Sequence, residues 1–250
     1  TPLEQSQVRY HAISLLEPHQ RSNAMLFANL LAQAIAQLPP SKPLLIVGGS
    51  SFFLKSIIEG LSPMPPLESC KEWVDSLGSL SAQYMALQEI DEKYAKSLSP
   101  TDTYRIHKAL ALFKATAIPP STYFATHKKI PFAHHIEIFV LEREREALRE
   151  RIALRCGKMI ESGIVEETRL VLESYGAQAP ALQAIGTKEC VAFLQGEIDS
   201  LEALKEQIYF HTCQLAKRQR TFNRTQFSQV THLEEEVLEE ALARYLLQIP

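Results

Sequence analysis

Arg151, Arg155 and Lys158 recur four and three residues apart. On a helix, at about 100° per residue, they fall near 0°, 40° and −20° and form one basic stripe. Leu148, Ile152, Cys156, Met159 and Ile160 take the adjoining arc, so the stripe borders buried structure. Guanidinium groups in that position suit bidentate binding of phosphate. Ion pairing with the nearby Glu144, Glu146 and Glu150 is an equally good reading of the same residues.

Four further runs carry polar groups in patterns that chemistry could use. The turn Gly48-Gly49-Ser50 follows the apolar run Leu44-Leu45-Ile46-Val47 and precedes an apolar helix. Its glycines permit a sharp turn and close approach, and Ser50 is placed to cap a helix whose N-terminus attracts anions. An ordinary capped turn has the same pattern. A P-loop needs glycine before its lysine, and Leu54 precedes Lys55. The run Lys217-Arg218-Gln219-Arg220-Thr221-Phe222-Asn223-Arg224 ends a long helix. Gln214, Lys217, Thr221 and Arg224 share one face there, and Leu204, Ile208, Leu215 and Phe222 share another. Cations, amides and hydroxyls together position a sugar–phosphate backbone, although a basic helix end is also a common solvated surface. In Asp102–Lys108, Asp102 stands near a helix start, and Arg105 and Lys108 share a face. In Ala184–Glu189, Gly186 ends a loop and Thr187 is placed to cap the next helix. His134-His135 has no partner at metal-ligand spacing and reads as a core or surface pair.

The elements that must hold these residues follow from periodicity. Helices are expected at 22–38, 51–60, 102–116, 143–162, 164–175, 187–195, 200–224 and 234–248, and residues 67–100 read as polar and helical. Residues 44–47 read as a buried parallel strand and residues 135–141 as a second core strand. Two strands are few for a parallel sheet, so further strands are expected outside this sequence. Asn29, Gln33 and Gln37 put a polar stripe on the uncharged segment 22–41, which makes it amphipathic rather than transmembrane. The sequence has 250 residues and is 46% apolar, enough for a core without staples. Its 26 basic and 29 acidic residues give a net charge of −3, which excludes a globally basic nucleic-acid binder but not a local basic groove. Four scattered cysteines read as free thiols, and with no secretory leader pattern the reading is a cytoplasmic protein.

Taken in order, these segments resemble the bacterial tRNA dimethylallyltransferase family. LLIVGGSSFFLKSIIEGLSP is similar to its strand–Gly-Gly-Thr–helix–Glu-Gly-Leu-Ser-Pro block. TDTYRIHKALALF is similar to its Asp-Pro-x-Arg block, and RIALRCGKMIESGIVEE to its Arg-Ile-x-x-Arg block. PALQAIGTKECVAFLQGEI and QLAKRQRTFNR resemble its most specific signatures. The resemblance implies an α/β fold: a P-loop NTPase-like parallel-sheet core with a helical insertion domain that clamps the anticodon stem. It implies core at 1–66, insertion at 67–116, and the rest of the core with C-terminal helices at 117–250. The implied reaction is transfer of a dimethylallyl group from dimethylallyl diphosphate to N6 of adenosine 37, in tRNAs that read codons beginning with U. Implied partners are the tRNA anticodon stem-loop and dimethylallyl diphosphate, with no membrane, for a monomer that uses Mg2+.

By residue, Arg155 matches the family's diphosphate-binding arginine, and Ser50 replaces a threonine whose hydroxyl lies near the adenine. Tyr104-Arg105-Ile106-His107-Lys108, Gln183-Ala184-Ile185-Gly186-Thr187-Lys188 and Lys217–Arg224 match tRNA-contacting stretches. The family's P-loop, its magnesium ligands and the aspartate that acts as general base have no match here and are expected upstream of Thr1. Smaller departures are Ser51 for Gly, Thr103 for Pro, Cys213 for Arg and Phe222 for Trp. The alternatives are a non-catalytic tRNA-binding fragment and a P-loop small-molecule kinase. A kinase would not need the run 214–224.

Overall fold

The computed structural model describes residues 8–39, 42–131 and 136–247. In chain order the helices are α1 (Ala24–Gln37), α2 (Ser51–Glu59), α3 (Lys71–Ser76), α4 (Leu80–Ile90), α5 (Glu92–Lys96), α6 (Thr103–Thr116) and α7 (Pro120–Thr126). They continue with α8 (Arg145–Glu161), α9 (Ile164–Tyr175), α10 (Thr187–Leu194), α11 (Leu201–Gln226) and α12 (Glu235–Leu247). The strands are β1 (Phe139–Leu141) and β2 (Thr231–Leu233). The eight helices expected individually all appear within two residues of their expected bounds. The chain divides into two compact units: Ile57–Ala133, and Thr1–Ser56 with His134–Pro250.

In the unit Ile57–Ala133, α3 to α6 pack around a core that includes Val74, Leu87, Ile106, Ala109 and Leu110. Caps set where its helices begin. Ser79 accepts the Ala82 N–H, Asp102 the Arg105 N–H and Asp91 the Tyr94 N–H. The second carboxylate oxygen of Asp91 accepts the Ser121 N–H at 2.6 Å, which ties α7 to the α4–α5 corner. The helix α6 ends where Ala117 turns left-handed at φ 56°, and Pro120 opens α7 in the first-turn position that proline tolerates. Buried Gln83 is satisfied, donating to the Val74 and Gly78 carbonyls and accepting from His107.

In the other unit, α8 and α11 run antiparallel. At one end Arg220 donates to the Arg143 carbonyl at 3.2 Å, and at the other a Cβ on Gly157 would meet Lys205. Ile152, Cys156, Cys190, Leu204 and Ile208 fill the space between α8, α10 and α11. In α1, Leu31 and Ala34 are buried while Asn29, Gln33 and Gln37 are exposed, as the polar stripe requires. No helix among the described residues is long and apolar enough to cross a membrane. All four cysteines are free.

The strands differ from expectation. Residues 44–47 form no regular element and join no ladder among the described residues, and Leu45 and Val47 are 63% and 82% exposed. The expected buried parallel strand is therefore corrected to an unpaired segment. The second expected strand is present only at Phe139–Leu141, where it pairs in parallel with Thr231–Leu233. Its residues 134 and 135, including the His134-His135 pair, lie outside the described residues.

Candidate functional site

The three cations of the α8 stripe are exposed, while the adjoining arc of the helix buries Ile152 and Cys156. They line an open groove of about 530 Å³ with Leu154, Met159 and Ser162. The carboxylates expected to neutralise them are not so used. Glu146 pairs with Arg149 at 3.7 Å, and Arg143 pairs with the distant Glu235. Arg151, Arg155 and Lys158 form no ion pair among the described residues, so their charge is available to an external anion. Burial pushes the Cys156 thiol up, and neighbouring Cys213 adds to this, which makes Cys156 a packing group rather than a nucleophile.

The turn before α10 lies against this groove. Gly186 has φ +102°, and a Cβ there would stand 3.0 Å from Met159 Cε and 3.1 Å from Ile164 Cδ1. That positive φ favours glycine, and it sets the turn beside Met159, which itself lines the groove. Gln183, Ala184 and Lys188 are exposed, and Ile185 is half-buried. Thr187 is not the cap expected of it. Gly186 holds that position, and the Thr187 hydroxyl donates back to the Ala181 and Ala184 carbonyls.

A second grouping forms where α11 ends. The Gln219 amide donates to the Gly49 carbonyl at 3.0 Å, and a Gly49 Cβ would collide with it at 2.4 Å. Lys55 donates to Gln226 beside it. These bonds bring the Gly48-Gly49-Ser50 turn to the Lys217–Arg224 run. Ser50 contributes its carbonyl to the start of α2, accepting the Phe53 N–H, whereas its hydroxyl makes no hydrogen bond among the described residues. The side-chain cap expected of Ser50 is thus replaced by a free, exposed hydroxyl. Lys217, Arg218, Thr221 and Arg224 are exposed, while Gln219 and Arg220 are spent on internal carbonyls. Phe222 packs edge-on against Phe227, and Asn223 is half-buried.

Arg155 therefore sits with the Gln183–Lys188 turn, and Ser50 with the Lys217–Arg224 run. The two groupings share the α8–α11 pair. Arg143, bonded to Arg220, precedes the first residue of α8, and Arg155 stands ten residues into that helix, about 15 Å along it at ~1.5 Å per residue.

In the unit Ile57–Ala133, the expected contact stretch splits by burial. Tyr104 is 72% exposed with Lys108 Nζ 6.0 Å from its ring centroid, and Arg105 pairs with Asp102 at 3.4 Å. Ile106 is wholly buried in the core, and His107 donates to Gln83 at 2.7 Å. The helix α6 turns Ile106 into the core and His107, half-buried, toward Gln83 on α4. Sequence reasoning missed Met159, Ser162 and Glu189 as parts of the site. The Gly186-x-x-Glu189 spacing of a capping box was the available signal for Glu189. No group of three His, Cys, Asp or Glu side chains converges among the described residues. They do not fit a magnesium ion, and no step below passes through one.

The family model for IPP transferase matches residues 1–226. The tRNA dimethylallyltransferase of Helicobacter hepaticus is 67% identical over 249 residues, covering 98% of this chain and 82% of that protein. The tRNA dimethylallyltransferase of Wolinella succinogenes is 42% identical over 231 residues, covering 91% and 77%. Among solved structures, the tRNA isopentenylpyrophosphate transferase of Bacillus halodurans superposes with a TM-score of 0.65 at 23% identity, covering 99% of this chain and 82% of that one. A eukaryotic dimethylallyltransferase acting on tRNA superposes with a TM-score of 0.73 at 22% identity, covering 89% and 57%. The structural likeness carries the fold, and the family match with the 67% identity carries the kinship. The chain belongs to the IPP transferase family.

Proposed function

We propose that this protein transfers a dimethylallyl group from dimethylallyl diphosphate to N6 of adenosine 37 in tRNAs reading codons that begin with U. The N6 nitrogen attacks C1 of the dimethylallyl group, the C1–O bond breaks, and diphosphate leaves with the bonding electrons. The N6 proton passes to a carboxylate, which this reading assigns to the aspartate expected upstream of Thr1, on a P-loop NTPase-like core. The target base must leave its stack to reach the reagent. Arg155, flanked by Arg151 and Lys158, offers donors to the leaving diphosphate, where developing charge is most in need of them. The Ser50 hydroxyl, without a hydrogen bond among the described residues, is available to the adenine. The exposed members of Gln183–Lys188 and Lys217–Arg224 take the RNA backbone and loop, and Tyr104, Arg105 and Lys108 offer further contacts.

The observation that supports this reading most is that Arg151, Arg155 and Lys158 line one groove beside a glycine turn with no ion pair among the described residues, in a chain 67% identical to a named tRNA dimethylallyltransferase. The test is transfer from labelled dimethylallyl diphosphate, by the protein at its full natural length, to a tRNA bearing A36-A37-A38. Arg155→Ala is expected to lower kcat/KM about 10- to 100-fold, the loss of one charged hydrogen-bonding group. Absence of transfer by the unsubstituted protein overturns the reading.

A further inference from the structure

Glu189 is only 5% exposed, and both its oxygens are engaged. One accepts the Gly186 backbone N–H at 2.6 Å, and the other accepts the Nδ1–H of His211 at 2.6 Å. A buried carboxylate is costly unless its oxygens find donors. Here one donor comes from the turn before α10 and the other from α11, 22 residues further on. Gly186 in turn lies tightly beside Met159 and Ile164, and Met159 lines the cationic groove. An unbroken line of contact runs from His211 through Glu189 and Gly186 to the groove.

We infer that His211 and Glu189 are positioning residues. They hold the Gly186 turn against Met159, and so hold Lys188 and the Arg155 groove in the spacing that one RNA backbone requires. Neither residue touches substrate, and the inference rests on the tRNA-binding reading above. Alanine at position 211 removes one donor from a buried carboxylate and frees the turn to leave. Asparagine keeps an N–H close to the place of Nδ1.

The test compares His211→Ala and His211→Asn in the full-length protein by three readouts. These are KM and kcat for tRNA, affinity for an anticodon stem-loop, and hydrogen exchange at the Gly186 amide. His211→Ala is expected to raise the KM for tRNA and speed Gly186 exchange, each about tenfold, with kcat within about twofold. His211→Asn is expected to restore both. Unchanged KM and exchange in His211→Ala overturns the inference, and so does equal impairment of the two variants. If His211→Ala does not fold, Glu189→Gln, which keeps one good acceptor, is expected to shift both readouts in the same direction. No shift there overturns the inference. If the unsubstituted protein binds no stem-loop, the proposed function fails, and Gly186 exchange alone still decides whether His211 positions the turn.

Discussion

Side chains of one chemical type take opposite roles here according to what faces them. Arg149 and Arg151 are two positions apart on α8, yet Arg149 is paired with Glu146 and Arg151 faces the open groove. An exposed pair such as Arg149–Glu146 adds little stability, and it lies on a face of α8 away from the groove. Asp91 shows the reverse, a charge retained for structure. Burial pulls its pKa up, but the Ser121 and Tyr94 N–H bonds, with Lys93 nearby, outweigh burial and hold it below the ordinary aspartate value. A carboxylate with a depressed pKa stabilises the fold above its unfolded value, near 3.9, and loses that contribution as pH falls through the folded value. The unit Ile57–Ala133 is therefore expected to lose stability below about pH 4. Asp91→Asn, which keeps only one good acceptor, is expected to cost about 1–2 kcal/mol at neutral pH and less in acid. Urea midpoints of both proteins at pH 7 and pH 3 check this.

Glycines decide how closely neighbouring elements approach, and their surroundings rank them. Gly60 has φ +80°, and a Cβ there would lie 2.3 Å from the Ile130 carbonyl, beside the Leu61–Ile130 bridge. Backbone cannot swing aside as a side chain can. Gly163, between α8 and α9, has φ +89° but open space around it. Gly163→Ala should cost about 1–2 kcal/mol of conformational strain alone. Gly60→Ala should cost about 3 kcal/mol or more, because steric overlap adds to strain. Denaturant midpoints of the two variants give the order. Equal losses would mean that the Ile130 backbone yields.

Across the unit that holds the groove, the cations matter by placement more than by number. The sequence carries a net charge of −3, yet Arg151, Arg155, Lys158, Lys188, Lys217, Arg218 and Arg224 are exposed and without an ion pair among the described residues. A local field of this kind attracts a polyanion that the net charge would repel. Each phosphate contacted releases a condensed counterion, at about 0.7–0.9 units of log–log salt slope per contact. If roughly four to six of these cations engage tRNA, the slope should lie near −3 to −5. Lys217→Ala should reduce it by about one without altering which tRNA is preferred. Stem-loop titrations between ~50 and ~200 mM salt check this. A slope near zero would mean that the exposed cations do not meet the backbone.

The helices were legible in the sequence because their signals are local. Periodicity placed the Asn29, Gln33 and Gln37 stripe, and Asp102 marked the start of α6 through a bond only three residues long. The stripe Arg151, Arg155, Lys158 was legible for the same reason. Tertiary structure alone decided what each signal met. A strand is completed by hydrogen bonds to a distant segment, so residues 44–47 carry a strand's composition without a ladder, while β1 pairs with Thr231–Leu233, a run with no strong pattern. An ion pair is a choice among partners: Arg143 takes Glu235, 92 residues away, and among the described residues Arg151, Arg155 and Lys158 take none. Burial divided Tyr104 from Ile106 within one motif, and contact with Met159 explains Gly186. Residue types and helical faces depend on neighbours within a turn or two, whereas pairing, exposure and clearance depend on atoms that only the folded chain brings near.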